Sequence, residues 1–359
     1  MAENLHDIEK KVLAGERLMF EDGVALFQTD DIFTLGRIAN TVREKKNGNN
    51  AYYIRNMHLN YSNICAHTCG FCYGGFARKV GEEGAYEMTL EDIFLKGEEA
   101  RRRGADEIHI VGGIHPTLPY KFYLDMLVGL KERYPEIHLK AFTAVEIEHL
   151  SRIGKRTVEQ VLVDLMEAGM DSMPGGGAEI FAHRVWREIC GTKTKPENWL
   201  NIHRTAHKLG LRSTCTMLYG HIETVEDRVD HILRLRALQD EMGGFTAFIP
   251  LAFHPENTLM KNLPKPTAIT DLRVHAVARL LLDNFDHIKA YWIMTGLKMA
   301  QLLLHYGVDD IDGTIVEEKI VHMAGATSPK GVTEEELRHL IIEAGRTPVR
   351  RDTLYRVKA

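Results

Sequence analysis

From residue 51 onward, short apolar runs alternate with longer stretches whose apolar residues recur every three or four positions. The short runs predict strands at 57–63, Glu107–Val111, His138–Thr143, Ser172–Pro174, Ser213–Leu218, Phe245–Leu251, Ile288–Ile293 and Asp310–Ile315. The longer stretches predict helices with readable ends. One opens on the capping-box pair Thr89 and Asp92 and stops before Gly104. Another carries Phe122, Tyr123, Met126, Leu127 and Leu130 on one face and ends at Pro135.

Residues 1–50 have a different texture. Leu18, Phe20, Val24, Ala25 and Leu26 form one apolar face, and Ile32, Leu35, Ile38 and Ala39 another, before Lys45-Lys46-Asn47-Gly48-Asn49-Asn50 breaks the pattern. An N-terminal helical extension that closes one end of the fold is expected there. Eight strands, each followed by a helix, call for a parallel sheet, and most simply for a (β/α)8 TIM-type barrel over 51–315. Residues 316–359, with a helix at Thr333–Ala344, are expected to form a C-terminal helical cap.

Such a barrel carries its chemistry at the C-terminal ends of its strands, and the unusual residues fall there. Three cysteines follow the first strand, Gly112-Gly113-Ile114-His115-Pro116 the second, and Ala144-Val145-Glu146 the third. Gly175-Gly176-Gly177-Ala178-Glu179 follows the fourth, Tyr219-Gly220-His221 the fifth and Phe253-His254-Pro255-Glu256 the sixth.

Composition removes several alternatives. A hydrophobic fraction of 44% fills a large core, and a net charge of −5 offers no basic surface for nucleic acid or anionic membrane. Met1-Ala2-Glu3-Asn4-Leu5 lacks a secretory apolar core, and no apolar run approaches the roughly 18 residues that span a bilayer. Five cysteines are too few, and odd in number, for a disulfide framework. These features point to the cytoplasm.

The cysteines at Cys65-x3-Cys69-x2-Cys72 are the sharpest signal. Three thiolates can hold three irons of a [4Fe–4S] cubane and leave the fourth iron open to a small molecule that receives an electron. A structural zinc site takes four ligands, usually in close pairs. A bacterial ferredoxin run adds a fourth Cys followed by Pro, whereas Tyr73-Gly74-Gly75 follows Cys72. A non-redox barrel enzyme with zinc and a simple iron–sulfur electron carrier stay open as alternatives, although a carrier leaves the glycine-rich loops unexplained. Cys190 and Cys215 read as ordinary buried thiols.

Gly112 and Gly113 allow close backbone approach, so their carbonyls could receive the amino group of a methionine-like ligand. Glu146 could take a ribose or an amine, or simply stabilise a helix N-terminus. The Gly175–Gly177 run does not fit dinucleotide spacing and could make room for a bulky ligand, with Glu179 opening the next helix. Arg184 and Arg187 could bind a carboxylate or be solvated helix residues. His115 could be a loop residue or a pocket contact. His203 and His207 lack the Glu of a metal-binding helix motif and read as surface or packing residues.

The cysteine motif, Ile110-Val111-Gly112-Gly113-Ile114-His115-Pro116, Lys140-Ala141-Phe142-Thr143-Ala144-Val145-Glu146-Ile147, Met173-Pro174-Gly175-Gly176-Gly177-Ala178-Glu179, Thr216-Met217-Leu218-Tyr219-Gly220-His221 and Phe248–Asn257 together resemble the menaquinone-pathway radical S-adenosylmethionine (SAM) enzymes. The resemblance runs through Asp352-Thr353-Leu354-Tyr355-Arg356. Within that group the Lys140–Glu146 and His287–Trp292 segments look like those of the aminofutalosine synthases rather than of their sisters, the cyclases acting on dehypoxanthine futalosine. Tyr73-Gly74-Gly75-Phe76 is a departure, a smaller and more flexible lead out of the cysteine loop.

The resemblance implies a [4Fe–4S] cluster on Cys65, Cys69 and Cys72, with SAM at Gly112, Gly113, Glu146 and Tyr73. It implies addition of a 5′-deoxyadenosyl radical to the enol ether of 3-[(1-carboxyvinyl)oxy]benzoate, loss of a carboxyl group, and release of 6-amino-6-deoxyfutalosine. A one-electron reductant such as flavodoxin or ferredoxin is implied as well. For the two substrate carboxylates, His115, Arg78, Arg184 and His254 are the candidates.

Overall fold

The structure, a computed structural model, describes residues 5–358. Most of the segment read above for a targeting signal, Met1 to Asn4, lies outside them. Among the described residues there are ten strands: β1 Asn50–Ile54, β2 Asn56–Leu59, β3 Glu107–Ile110, β4 His138–Ala141, β5 Ser172–Met173, β6 Arg212–Tyr219, β7 Phe245–Ala252, β8 His287–Ile288, β9 Asp310–Gly313 and β10 Thr347–Arg350.

Strands β2 to β8 form one parallel sheet in chain order, as repeated strand–helix units require. The eighth barrel position is occupied more loosely. Asp309 N–H donates to the Ile288 carbonyl and Ala290 N–H to that of Asp310, while His58 N–H on β2 donates to Val316. β9 and the residues that follow it thus bridge β8 and β2 by isolated pairings and complete a barrel whose continuous ladder spans seven strands.

The helices sit where the apolar periodicity puts them. Thr89 caps Leu90–Arg102, its hydroxyl accepting from Asp92 N–H at 3.2 Å, and Gly104 follows with φ +64°. Tyr120–Arg133 buries Tyr123, Met126, Leu127 and Leu130. In the extension, Ile32–Asn47 buries Ile32, Leu35, Ile38 and Ala39, chiefly against the outer helix Ala268–Leu281. Its contacts are with the barrel's flank, and Arg43 reaches the Val308 and Gly48 carbonyls beside the N-terminal edges of the strands.

Two expectations change. Residues 316–359 are not a purely helical cap: after Ile320–Ala324 and Glu334–Glu343, β10 pairs in parallel with β1, Asn50 opposite Thr347 through Tyr53 opposite Arg350. β1 has only five residues and β10 four, one of them Pro348, so neither stands out until the other lies beside it. The seventh expected strand ends at Ile288. Lys289 N–H still donates to β7 but Ala290 N–H turns to Asp310, and a short helix, Trp292–Thr295, begins.

Candidate active site

Between β2 and the first outer helix the chain forms a loop braced at many points. Cys65 N–H donates to the Arg78 carbonyl at 2.9 Å, Ala66 N–H to Ile114 at 2.8 Å, and Gly70 N–H to Ile189 at 2.7 Å. The Lys79 ammonium donates to the carbonyls of Cys65, Ala66 and His67. All three thiols face one cavity that runs into the barrel. Burial pushes the Cys65 thiol up and the Cys72 thiol up to about 12. Cys69 moves the other way, lowered first by a hydrogen bond with Cys190 and then by the Lys193 ammonium. Lys193 is itself ion-paired with Glu179 and stands 5.3 Å over the Phe71 ring.

This donor set fits a cubane with one open iron: three thiols of one loop facing a shared cavity. Among the described residues no three His, Cys, Asp or Glu side chains converge on a single point, as a closed mononuclear site demands. A cubane carries its ligands on separate irons and needs no such convergence.

The two glycines after β3 are packed against the cysteine lead. A Cβ on Gly113 would stand 2.3 Å from the Ile64 carbonyl oxygen, and one on Gly112 would stand 2.6 Å from the Tyr61 ring. The Gly112 N–H donates to Glu146, which also accepts from the Tyr61 hydroxyl at 2.8 Å and from Thr143 N–H at 2.7 Å. Burial pushes the Glu146 carboxyl up to about 7, against these hydrogen bonds, which favour its charged form. Glu146 therefore caps a helix and also ties the loops after β3 and β4 together at the cavity wall.

Below the loops the interior is charged. His58, His109 and Lys140 are register partners on β2, β3 and β4, so neighbouring side chains project inward together. Glu107, Lys289, Tyr291 and Asp312 line the same floor. Barrel interiors are normally filled by layers of branched apolar side chains. Here polar residues take those places and a cavity remains.

Residues 59–235 match the family model of the radical SAM superfamily, and residues 242–359 that of the CofH/MqnC C-terminal region. A Thermus thermophilus protein named aminodeoxyfutalosine synthase is 51% identical over 97% of this chain and 94% of its own length. The chain belongs to the aminodeoxyfutalosine synthase family of radical SAM enzymes. A Streptomyces coelicolor member is 44% identical over 98% of this chain and 93% of its own. Methylornithine synthase has the same fold, with a TM-score of 0.76 and 17% identity over 96% of this chain and 97% of its own. As a radical SAM enzyme the chain uses a [4Fe–4S] cluster and SAM. Among the described residues no helix is long and apolar enough to cross a membrane.

At this cavity the residues singled out from sequence divide. Cys65, Cys69, Cys72, Gly112, Gly113, Glu146 and His254 line it. His254 Nε2 pairs with the Met294 carbonyl at 3.0 Å and its buried Nδ1 has no hydrogen-bond partner. Tyr73, Arg78, His115 and Arg184 are not among the lining residues. The Tyr73 hydroxyl bonds Glu82, and Arg78 braces the Gly75 and Ala77 carbonyls. His115 Nδ1 accepts from Leu118 N–H at 3.1 Å while Nε2 lies 2.8 Å from Glu87. Arg184 is half exposed and pairs with Asp227 at 2.7 Å.

Other readings resolve plainly. Gly175 allows strands to approach, since a Cβ there would lie 2.4 Å from Cys215 Cα, while the cavity runs past Gly176. Glu179 does not open a helix: it has φ +47°, and the next helix is His183–Cys190. His203 and His207 both pack in the core and share the Ser213 hydroxyl. Cys215 is an isolated buried thiol, but Cys190 lies against Cys69.

The floor residues were missed, although a signal existed. His58, His109 and Lys140 each interrupt an apolar strand, as in Met57-His58-Leu59, Ile108-His109-Ile110 and Leu139-Lys140-Ala141. Parallel strands covered on both faces run almost continuously hydrophobic. A polar residue at the same register position in three successive strands marks an interior left open.

Proposed function

We propose that this chain joins the 5′-deoxyadenosyl group of SAM to 3-[(1-carboxyvinyl)oxy]benzoate and releases 6-amino-6-deoxyfutalosine with loss of a carboxyl group, a step of menaquinone biosynthesis. The observation that carries the reading is a single cavity lined by three cluster-type thiols at its mouth and by buried charged residues at its floor. An electron carrier has no use for that second compartment. The names and high identity of the Thermus and Streptomyces relatives support the same reaction.

Cys65, Cys69 and Cys72 would hold the cluster. When bound, it supplies the electron that splits SAM into methionine and the 5′-deoxyadenosyl radical. The Gly112 and Gly113 carbonyls, which accept no hydrogen bond from the described residues, would receive the SAM amino group. Glu146 positions that loop through the Gly112 N–H. Val111, Ile249, Leu251 and Phe253 give the cavity apolar walls that keep water and stray hydrogen donors from a radical. His254 offers a polar contact to the substrate, and a flavodoxin or ferredoxin would bring the electron.

The test is anaerobic reconstitution, reduction, and incubation with SAM with and without the enol ether, followed by mass spectrometry. An adenosine–substrate adduct formed in step with methionine supports the synthase reaction. Free 5′-deoxyadenosine with no adduct would move the assignment to another substrate, the cyclase's first. A fully loaded protein that leaves SAM intact would return the electron carrier to consideration.

A further inference from the structure

Three rings and an ammonium form a row along the cavity floor. Tyr291 stacks on His58, with centroids 6.3 Å apart and planes 12° from parallel, and His58 stacks on His109 at 4.6 Å and 22°. Lys140 is the register partner of His109 on the next strand. Burial holds both imidazoles below their ordinary range, so the rings present neutral surfaces.

Lys140 is 4% exposed, yet its ammonium makes no hydrogen bond with the described residues. Burial lowers its pKa, while its acidic neighbour Glu107, 3.8 Å away and beyond hydrogen-bond reach, favours the charged form. The other floor lysine, Lys289, already donates to Asp312 at 3.3 Å. A buried ammonium with unspent donors is costly unless something completes it, and the open side of Lys140 is the cavity.

We propose that this row is the subsite for an aromatic carboxylate: Lys140 pairs with the carboxylate and the aryl ring lies along the Tyr291–His58–His109 face. The assignment rests on the function proposed above, because it places the reacting alkene upward, toward the cysteine loop. Of the two carboxylates of the enol ether, the one on the benzene ring is therefore the one Lys140 holds.

The test is equilibrium binding to the cluster-loaded, SAM-bound protein of two ligands: 3-[(1-carboxyvinyl)oxy]benzoate and 2-phenoxyacrylate, which lacks the ring carboxylate. The wild type is expected to bind 2-phenoxyacrylate at least about thirtyfold more weakly, the loss that follows removal of one partner from a buried charge pair. Lys140→Met should bind both ligands equally weakly while keeping its iron content and the spectroscopic signature of bound SAM. Equal binding of the two ligands by the wild type, or a preference retained in Lys140→Met, overturns the subsite. If Lys140→Met fails to load iron, Lys140→Gln takes its place in the same comparison. Adduct formation by the wild type together with a retained preference sinks this inference alone. A wild type that binds neither ligand and forms no adduct overturns the reaction assignment and the subsite with it.

Discussion

The Glu146 carboxylate accepts a hydrogen bond at 3.1 Å from the backbone N–H of Gly112. One side chain thereby fixes the entry of the helix after β4 relative to the loop after β3, both of which wall the cavity. Glu146→Gln turns an amide N–H₂ toward at least one of the donors that now meet the carboxylate. A loss of about 1–3 kcal/mol in denaturant-measured stability, together with weaker SAM binding, is expected. Unchanged SAM affinity would mean that the loop keeps its place without this bond.

The same carboxyl makes stability depend on pH. Its folded value, about 7, lies above the 4.5 of the unfolded chain, so between these values the folded protein keeps a proton that the unfolded chain releases. Stability contributed here is present below about 4.5 and lost as pH rises to 7, by about 3 kcal/mol in all. The stability difference between wild type and Glu146→Gln should shrink by that amount across the window. A flat difference would show a carboxyl that ionises normally.

Three thiols, and not Cys190, should ligate the cluster. Single alanine replacements of Cys65, Cys69 or Cys72 are expected to abolish the iron–sulfur absorbance, whereas Cys190→Ala, despite its contact with Cys69, should load iron like the wild type. Iron quantitation after anaerobic reconstitution decides. Loss of the cluster in Cys190→Ala would make it a fourth ligand and close the site to SAM.

Gly113→Ala forces a Cβ to within 2.3 Å of the Ile64 carbonyl oxygen, a backbone atom that cannot swing aside. The cysteine lead must move, so SAM cleavage should fall by at least about tenfold, on the scale that small misplacements at a reacting centre produce. Gly176→Ala meets nothing nearer than the Thr143 methyl at 3.2 Å and should lose far less. Parallel turnover assays compare the two.

Arg351 donates to Asp310 at 2.5 Å, and both are essentially unexposed. This pair fastens the C-terminal segment to β9. Arg351→Met would leave a buried carboxylate uncompensated and should destabilise the protein by about 3–5 kcal/mol. Combining it with Asp310→Leu should recover part of that, measured by denaturant titration of the double variant.

Much of this protein was settled by local order along the chain. The cysteine spacing, Gly112-Gly113, the capping boxes and the strand–helix rhythm depend on neighbours a few residues apart, and they foretold the radical SAM barrel. Which charges meet substrate depended on tertiary structure. Arg78 and Arg184 looked like anion binders, yet the fold spends one on loop carbonyls and the other on Asp227. His58, His109 and Lys140 lie scores of residues apart and become one row only through parallel register. β1 and β10 likewise define each other across almost the whole chain. Periodicity reports which way a side chain points within its own element, while pairing register and loop closure decide what stands opposite it.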